Sequence, residues 1–332
     1  MKILVTGGTG FLGRHLVWRA AAAGAEVIFT GRDPRAAATV LQYGAARWLP
    51  LAHGSPNAIA QLTYAAQQAD VVVHCAALST PWGRTADFVR ANVTSTEEVL
   101  AACHAARVPR LVHISTPSVY FDFQDRLNIR EDSPLPPPVN EYARTKALAE
   151  ARVCAQPLPE TVILRPRALF GAWDQTLMPR LLRVMQRGAL PVMRGGQIQL
   201  DLTYIDNAID AIWLSMTQPL ARPVSIYNVS NGEPQTLLPL LENMARAFQL
   251  PLRTRTVPWR VVELLARGLE TAARLGNGRE PLLTRYSAGV LAFSQTLDIQ
   301  AIRTELGYQP RVSIAEGILR HAAWWREQEQ TK

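Results

Sequence analysis

A glycine-rich turn follows directly on the first apolar run of the chain, and it limits the possible folds more than any other feature. The run KILVT (2–6) leads into TGGTGFLG (6–13), in which Gly7, Gly10 and Gly13 recur every third residue before a helical pattern. Such a turn presents backbone N–H groups and the positive end of a helix dipole to an anion such as a pyrophosphate. We therefore predict a dinucleotide-binding unit, with a purely structural turn as the alternative.

Further β-rich runs follow, separated by alanine-rich helical stretches. Continuous apolar strands that alternate with helices are typical of a parallel sheet covered on both faces. We predict an α/β, doubly wound Rossmann fold over 1–166, to which 201–230 returns, and a smaller mixed α/β substrate-binding region mainly within 167–332. QLDLTYI and SIYNVS are predicted as two later strands. The other predicted strands are 2–6, 26–30, 70–76, 110–115 and 161–166, and the predicted helices are 11–23, 86–107, 177–187, 206–216, 236–248, 258–275 and 313–327.

The charge of the chain is basic but dispersed. The formal net charge is +8, and the arginines are interleaved with acidic residues instead of forming a cluster. This pattern indicates a solvated surface and argues against nucleic-acid binding. No apolar run of about 18 residues is present, so we expect no transmembrane segment. Cys75, Cys103 and Cys154 have no metal-binding spacing, so we expect no metal and a cytoplasmic protein with reduced thiols.

The end of the second predicted strand bears on the choice of cofactor. The chain there reads FTGRDP, without an acid at the end of the strand to hold the ribose 2′-hydroxyl of NAD. Arg32 can pair with a 2′-phosphate instead, and Gly31 leaves room for it. We therefore expect NADP(H) to be favoured over NAD(H). The alternative is a solvated Arg32, with Asp33 in the place of the acid.

A tyrosine and a lysine lie one helical turn apart in NEYARTKALAE (140–150). Tyr142 and Lys146 share a helix face at this spacing. A nearby ammonium lowers the pKa of a tyrosine, which makes the pair suited to proton transfer, whereas an exposed chance pair is the alternative. Ser115 and Thr116 follow a predicted strand, at the sheet edge where ligands bind in open α/β folds. A hydroxyl there can bond a substrate oxygen.

Together these segments resemble the extended short-chain dehydrogenase/reductases, also described as the NAD-dependent epimerase/dehydratase family, over nearly the whole chain. The resemblance is strongest to the 3β-hydroxysteroid dehydrogenase-like branch, because STPSVYF is followed by REDSPLP and the chain ends with LLTRYSAGVLAFSQTLDIQAIRTELGY. The other segments that carry it are TGGTGFLG, DVVVHCAA, RANVTSTEEVL, YARTK, LRPRALFG, TYIDNAIDAI, YNVSNGEP and ELGYQPRVSIAEGI.

The resemblance implies roles for individual residues. Tyr142 would be the general acid or base, and Lys146 would lower its pKa and hold the nicotinamide ribose. Thr116 would be the active-site hydroxyl, with Ser115 as its rival, and Asn92 matches an asparagine that shapes the active site. The cofactor-binding residues that it implies are Gly7, Gly10, Phe11, Leu12, Gly13, Ala76, Ala77 and Pro166.

Two departures from the family pattern matter. The segment WLPLAHGSP offers no acid to contact adenine. Sugar dehydratases of this superfamily carry an acidic residue next to the active-site threonine, whereas Pro117 and Ser118 follow Thr116 here. The second departure argues against dehydratase chemistry.

The substrate is expected to be apolar, because Trp173, Leu177, Met178 and Met193 fall near the expected pocket. We predict an NAD(P)-dependent oxidoreductase that interconverts a hydrophobic secondary alcohol and ketone, 3-hydroxysteroid-like or 2-alkyl-3-ketoacid-like. The alternatives are a nucleotide-sugar epimerase and a non-catalytic NADP-sensing relative. The amphipathic stretch 258–276 is expected to pack on the smaller region, and a lid or a peripheral membrane contact is its alternative role.

Relatives of this family often form dimers through two helices, which here correspond to the stretches around 86–107 and 142–156. The resemblance therefore implies a homodimer. The candidate contacts are Val99, Leu100, Leu148 and Val153.

Overall fold

The computed structural model describes residues 1–276 and 278–330. The strands are β1 (Lys2–Thr6), β2 (Glu26–Gly31), β3 (Arg47–Pro50), β4 (Val71–His74), β5 (Arg110–Ile114), β6 (Arg126–Ile129), β7 (Glu160–Pro166), β8 (Leu169–Phe170), β9 (Leu190–Val192), β10 (Gln199–Leu200), β11 (Thr203–Tyr204), β12 (Val224–Val229), β13 (Gln235–Thr236), β14 (Thr254–Thr256) and β15 (Gln295–Leu297). The helices are α1 (Phe11–Ala22), α2 (Pro34–Tyr43), α3 (Ala58–Ala66), α4 (Thr85–Phe88), α5 (Ser95–Ala106), α6 (Glu141–Ala155), α7 (Leu177–Arg187), α8 (Ile205–Thr217), α9 (Leu237–Phe248), α10 (Trp259–Leu275), α11 (Arg285–Gly289), α12 (Gln300–Leu306) and α13 (Ile314–Gln330).

A parallel sheet of seven strands lies at the centre of the protein, in the order β3-β2-β1-β4-β5-β7-β12. Its first six strands follow the order of the doubly wound nucleotide-binding fold. The predicted α/β Rossmann architecture is therefore confirmed. The five predicted strands of the first half all lie in this sheet, and their ends differ from the prediction by no more than about two residues.

Both faces of this sheet are covered because its strands are apolar on both sides. In β1, Ile3 and Val5 point into one hydrophobic core, and Leu4 points into a second core on the opposite face. The first core includes α1 through Leu16, and the second includes α5 through Leu100. Burial on both faces explains why these strands are runs of Val, Ile and Leu instead of alternating patterns.

Smaller sheets form the second region, and the chain passes between the two regions more than once. One sheet has the order β13-β10-β15-β6, and two-stranded pairs join β11 to β8 and β14 to β9. Strand β6 therefore leaves the first region, whereas β12 returns to the large sheet beside β7. The domain boundary at residue 166 stays a prediction.

QLDLTYI does not form the single strand that was predicted. It divides into β10 and β11, which belong to different sheets. The break falls at Asp201, whose carboxylate accepts a hydrogen bond of 2.7 Å from the backbone N–H of Leu297. The chain therefore changes sheet at the point where a side chain bonds a distant strand.

The predicted helix over 86–107 is interrupted by a π-type turn, Val89–Thr94, between α4 and α5. Its later part packs against α3 and α6 of the same chain. Val99, Leu100 and Val153, which were expected at a dimer interface, are instead buried in the second core, at 2%, 2% and 0% exposure. Leu148 is the one residue of that set that is exposed. No helix in the described ranges combines the length and apolar character needed to cross a membrane.

Candidate active site

The glycine turn between β1 and α1 is packed so closely that side chains are excluded. Gly7 has a φ of +68°, in the left-handed region, and a Cβ on Gly13 would lie 2.3 Å from the carbonyl oxygen of Gly7. Gly10 precedes α1 without a side-chain cap, and no acidic residue lies in the first turn. The N-terminus of α1 therefore presents its backbone amides and dipole to an anion, which fits a dinucleotide phosphate.

The other expected cofactor residues lie along the same edge of the sheet. A Cβ on Gly7 would lie 2.7 Å from the backbone of Ala76, so the turn after β1 touches the end of β4. Ala77 is exposed beside Ala76, and Pro166 ends β7. Phe11 and Leu12, at the start of α1, are partly buried. The structure thus brings the sequence-predicted cofactor residues to the carboxyl edge of the strands.

Arg32 is exposed just beyond the end of β2. The neighbouring Asp33 caps α2, since its carboxylate accepts a hydrogen bond of 2.8 Å from the backbone N–H of Arg35. Gly31 contacts Thr9 of the glycine turn, because a Cβ on it would lie 2.4 Å from that side chain. Asp33 is therefore engaged in the helix cap, and Arg32 directly follows Gly31, which contacts the glycine turn.

Tyr142 and Thr116 meet across the gap between α6 and the end of β5. Burial raises the pKa of the Tyr142 phenol to about 12, and the Thr116 side chain offsets part of this rise. The hydroxyl of Ser115, by contrast, is buried without a hydrogen-bond partner in the described chain. The geometry therefore favours Thr116 over Ser115 as the hydroxyl that acts with Tyr142.

Lys146 is buried at 2% exposure, and its ammonium turns toward the end of β5. Its Nζ donates to the carbonyl oxygen of Ile114 at 2.5 Å and lies 3.4 Å from Nε2 of His113. Burial lowers the pKa of Lys146 to about 8. The expected lowering of the Tyr142 pKa by this lysine is not found: burial raises that pKa, and the Lys146 ammonium contacts the carbonyl oxygen of Ile114 instead.

A buried ion pair fixes α6 to the sheet beneath the site. Arg165 of β7 donates from Nε and Nη2 to the two carboxylate oxygens of Glu150, at 2.9 and 2.5 Å. Both side chains are almost fully buried. Since Glu150 lies one turn beyond Lys146, this pair fixes the face of α6 that carries Tyr142 and Lys146.

The π-type turn holds Asn92 behind the catalytic helix. The Asn92 side chain accepts a hydrogen bond of 2.7 Å from the N–H of Leu78 and donates one of 2.9 Å to the hydroxyl of Thr145 on α6. The loop after β4 and α6 are therefore joined through one buried amide. Local π geometry at functional sites is common.

Sequence reasoning missed two hydroxyl groups that extend the site. Thr116 donates to Ser118 at 3.0 Å, and the Ser118 hydroxyl lies 2.6 Å from the phenol oxygen of Tyr286. Tyr286 belongs to α11, in the second region. Ser118 lies two residues after Thr116 in the motif STPSVYF, so the sequence could have indicated it. Tyr286 is distant in sequence, and only the fold brings it near Ser118.

Aromatic rings pack around this second tyrosine. The ring of Phe121 lies 5.6 Å from Tyr286 and 5.0 Å from Phe123, and Phe123 lies 6.0 Å from Trp259. These rings form an apolar wall beside Tyr286. The residues expected near the pocket are placed differently: Met178 and Met193 are fully buried in hydrophobic cores.

Two further residues of that expected set also lie elsewhere. Trp173 packs 5.8 Å from Trp18 and 5.6 Å from Trp324, ring centre to ring centre. Leu177 begins α7 and is 36% exposed. Within residues 1–276 and 278–330, no group of three or more His, Cys, Asp or Glu side chains could hold a metal ion.

Comparison with known proteins gives matches along nearly the whole chain. The NAD dependent epimerase/dehydratase family matches residues 3–230. A 2-alkyl-3-oxoalkanoate reductase of Stenotrophomonas maltophilia (strain K279a) is 35% identical over 96% of this chain and 98% of its own length. A decarboxylating sterol-4-alpha-carboxylate 3-dehydrogenase of Saccharomyces cerevisiae (strain ATCC 204508 / S288c) is 30% identical over 98% of each chain.

A solved structure shares the fold along the full chain. It is the dTDP-glucose 4,6-dehydratase DesIV of Streptomyces venezuelae with NAD and TYD bound. The match has a TM-score of 0.77 and 26% identity and covers 100% of this chain and 98% of the other.

Proposed function

This chain belongs to the NAD-dependent epimerase/dehydratase family, and from that membership we propose that it interconverts a hydrophobic ketone and its secondary alcohol with NADP(H). Its relatives include named reductases and dehydrogenases, and it is an NAD-dependent oxidoreductase acting on a CH–OH or ketone group. The observation that carries the proposal is the buried Lys146, one helical turn from Tyr142, whose Nζ donates to the carbonyl oxygen of Ile114, two residues before Thr116. The aromatic wall beside Tyr286 supports an apolar substrate.

A nicotinamide cofactor held by Gly7, Gly10 and Gly13 would supply the hydride that reduces the carbonyl carbon. Tyr142 gives the proton to the carbonyl oxygen, and its pKa of about 12 keeps the phenol protonated at neutral pH. Thr116 hydrogen-bonds the same oxygen and orients it. Burial lowers the pKa of Lys146 to about 8, so it stays largely charged at neutral pH and is available to hold the nicotinamide ribose.

The proposal is tested by NADPH oxidation on a panel of 3-ketosteroids, 2-alkyl-3-oxoacids and aryl ketones. Tyr142→Phe should lower turnover by about a hundredfold to ten-thousandfold, because the general acid is lost, and should bind NADPH as before. Tyr43→Phe removes a hydroxyl from a ring that is 64% exposed and serves as the control. Turnover by Tyr142→Phe at the wild-type rate would overturn the proposal. Inactivity on every ketone, with turnover of a nucleotide sugar, would favour the epimerase alternative.

The preference for NADP(H) rests on Arg32. Arg32 is exposed just beyond the end of β2, and Asp33 is engaged in capping α2. Arg32→Ser should raise the KM for NADPH by about tenfold, the effect expected for a lost charge-assisted contact, and leave the KM for NADH unchanged. Arg35→Ser is the control, and equal effects on both cofactors would refute the preference.

We also propose that the outer face of α10 contacts an anionic membrane surface. This face exposes Leu264 and Leu265, at 73% and 59%, and the helix spacing puts Arg260 and Arg267 along one edge of it. Replacing both leucines by serine should lower co-sedimentation with phosphatidylglycerol vesicles by about tenfold or more. Leu319→Ser, on α13 at 62% exposure, is the control, and unchanged sedimentation of the double variant would contradict the contact.

The predicted homodimer stays a proposal and involves the outer surfaces of α5 and α6. Leu148 is 40% exposed on α6 and is available for such a contact. Leu148→Asp should therefore convert a dimer to a monomer in light-scattering measurements, and a protein that is monomeric from the outset would refute the proposal. The free thiols of Cys75, Cys103 and Cys154 support the proposed cytoplasmic location.

A further inference from the structure

Arg167 is a buried cation at the active-site edge of the sheet. It follows Pro166, the last residue of β7, and is 8% exposed. Its Nε has no hydrogen-bond partner, and no carboxylate forms an ion pair with the guanidinium anywhere in the described ranges. Burying a charge without a partner costs several kcal/mol, so a position of this kind indicates a ligand that supplies the partner.

The other buried arginines in the described chain all have acceptors. Arg165 is held by Glu150, Arg110 donates to Glu160 at 2.8 Å, and Arg14 donates to the carbonyl oxygen of Thr9 at 2.7 Å. Arg167 differs from them although it is buried to a similar degree. The lack of an acceptor is therefore specific to Arg167 and is not shared by the other buried arginines.

Arg167 shares a wall with the catalytic groups. Strands β5 and β7 pair with Ile114 opposite Leu164, so Thr116 and Arg167 follow neighbouring strands at the same edge of the sheet. The Tyr286 oxygen lies 2.6 Å from the hydroxyl of Ser118, which connects to Thr116. A substrate whose oxygen reaches Thr116 therefore lies at the edge of the sheet that carries Arg167.

Asp201 is the acidic group that raises the pKa of Arg167, and the two side chains do not form an ion pair. Its Oδ2 accepts from the backbone N–H of Leu297, its Oδ1 has no partner in the described chain, and no ion pair joins it to the guanidinium. Burial lowers the pKa of Arg167, and Asp201 and Tyr286 offset that lowering only in part. The guanidinium retains its capacity for an anion from outside the protein.

We propose that Arg167 binds a carboxylate of the substrate, so that the substrate is a hydroxy acid or oxo acid with an apolar chain. The inference rests on the proposed function, since the carboxylate belongs to the same molecule that Thr116 and Tyr142 contact. A guanidinium matches a carboxylate through two parallel N–H bonds, which fixes the reacting carbon as well as adding affinity. Arg167 is then the residue that determines specificity for acids over neutral ketones and alcohols.

The test compares an acid with its uncharged ester. NADP⁺-dependent oxidation is measured for 3-hydroxydecanoate and for methyl 3-hydroxydecanoate, which carry the same alcohol and chain. Wild-type protein should prefer the acid in kcat/KM by about tenfold to a hundredfold, and Arg167→Met should abolish this preference with the ester rate unchanged. Arg167→Lys should restore part of it. Arg110→Met removes an equally buried arginine at the start of β5, the end of the strand away from Thr116. This variant should keep the preference for the acid over the ester.

Binding of decanoate in the presence of NADP⁺, measured by calorimetry, separates this inference from the proposed function. Decanoate should bind the wild type and not Arg167→Met, whether or not any alcohol is oxidised. Absence of turnover with Arg167-dependent binding would refute the proposed function and support the inference. Equal loss of acid and ester turnover, unchanged decanoate binding, or weakened NADP⁺ binding in Arg167→Met would overturn the inference. Arg167→Met should also melt at a higher temperature than the wild type, because an unpaired buried charge is removed.

Discussion

The nucleotide half and the substrate half of the cleft are assembled in different ways. The nucleotide half comes from short segments that follow three neighbouring strands, around Gly13, Arg32 and Ala76. The substrate half joins parts of the chain that are far apart, and its hydrogen bond between Ser118 and Tyr286 spans 168 residues. A change in the nucleotide half should therefore alter cofactor binding alone, whereas one in the substrate half should alter turnover alone.

The largest effect is expected where the two halves meet. Arg165→Met leaves Glu150 buried without its partner, which should lower the free energy of unfolding by about 3–5 kcal/mol in urea titrations. Both cofactor binding and turnover should suffer, because α6 loses its anchor. Arg152→Met breaks an exposed pair with Glu97 and should cost at most about 1 kcal/mol. Similar losses for the two variants would show that the buried pair has no special role.

A pH dependence is expected from Lys146, which stands between the halves. Its pKa is lowered from 10.5 to about 8 on folding, so between these values the unfolded chain holds a proton that the folded chain does not. The free energy of unfolding should therefore rise with pH in this window, by about 1.4 kcal/mol per pH unit from this group. Urea titrations of the wild type and Lys146→Met from pH 7 to about pH 10 isolate the contribution. If the free energies of unfolding of the wild type and Lys146→Met differed by the same amount at every pH, the predicted contribution of Lys146 would be contradicted.

A substitution in the glycine turn should impair cofactor binding by the nucleotide half alone. Gly13→Ala places a Cβ against the carbonyl of Gly7, and the resulting distortion of about 1–3 kcal/mol should weaken NADPH binding by about tenfold to a hundredfold. Fluorescence titration with NADPH measures the effect. Gly268→Ala, in open space on α10, should instead stabilise the protein by up to about 1 kcal/mol and bind NADPH normally. Normal binding by Gly13→Ala would mean that the turn does not contact the cofactor.

The smallest effect is expected from a single hydroxyl in the substrate half. Ser118→Ala removes the hydroxyl between Thr116 and Tyr286, which is worth about 0.5–1.5 kcal/mol, so kcat/KM should fall by about threefold to tenfold. The Kd for NADPH should stay unchanged. Ser133→Ala, in a surface turn, is the matched control. A weaker affinity for NADPH in Ser118→Ala would erase the distinction between the two halves.

The nucleotide half could be predicted because its constraints are local. The spacing of Gly7, Gly10 and Gly13 reflects contacts within the turn itself, so the pattern and the structure carry the same information. The same holds for the shared helix face of Tyr142 and Lys146. The catalytic and binding roles of these residues stay predictions, which the experiments above test.

Features that depend on distant parts of the chain could not be predicted. The pKa of Tyr142 follows from burial of its phenol, and Tyr286 reaches the site only through the second region. The apolar pattern that suggested a dimer interface at Val99 and Val153 belongs to an internal core, because periodicity shows that a face is buried but not what buries it. QLDLTYI has the pattern of one strand, but it divides into two strands at Asp201. There the Asp201 carboxylate accepts a hydrogen bond from the backbone N–H of the distant Leu297.

The pairing of β6 with β15 has a consequence for the order in which the nascent protein can fold. Asn128 of β6 donates its backbone N–H to the hydroxyl of Thr296, 168 residues later. Domains fold as they leave the ribosome at about 5–20 residues per second, so β6 waits roughly 10–30 s for its partner strand. Most of the large sheet can pair during that interval. The substrate side of the enzyme therefore closes last, around a nucleotide site that is already formed.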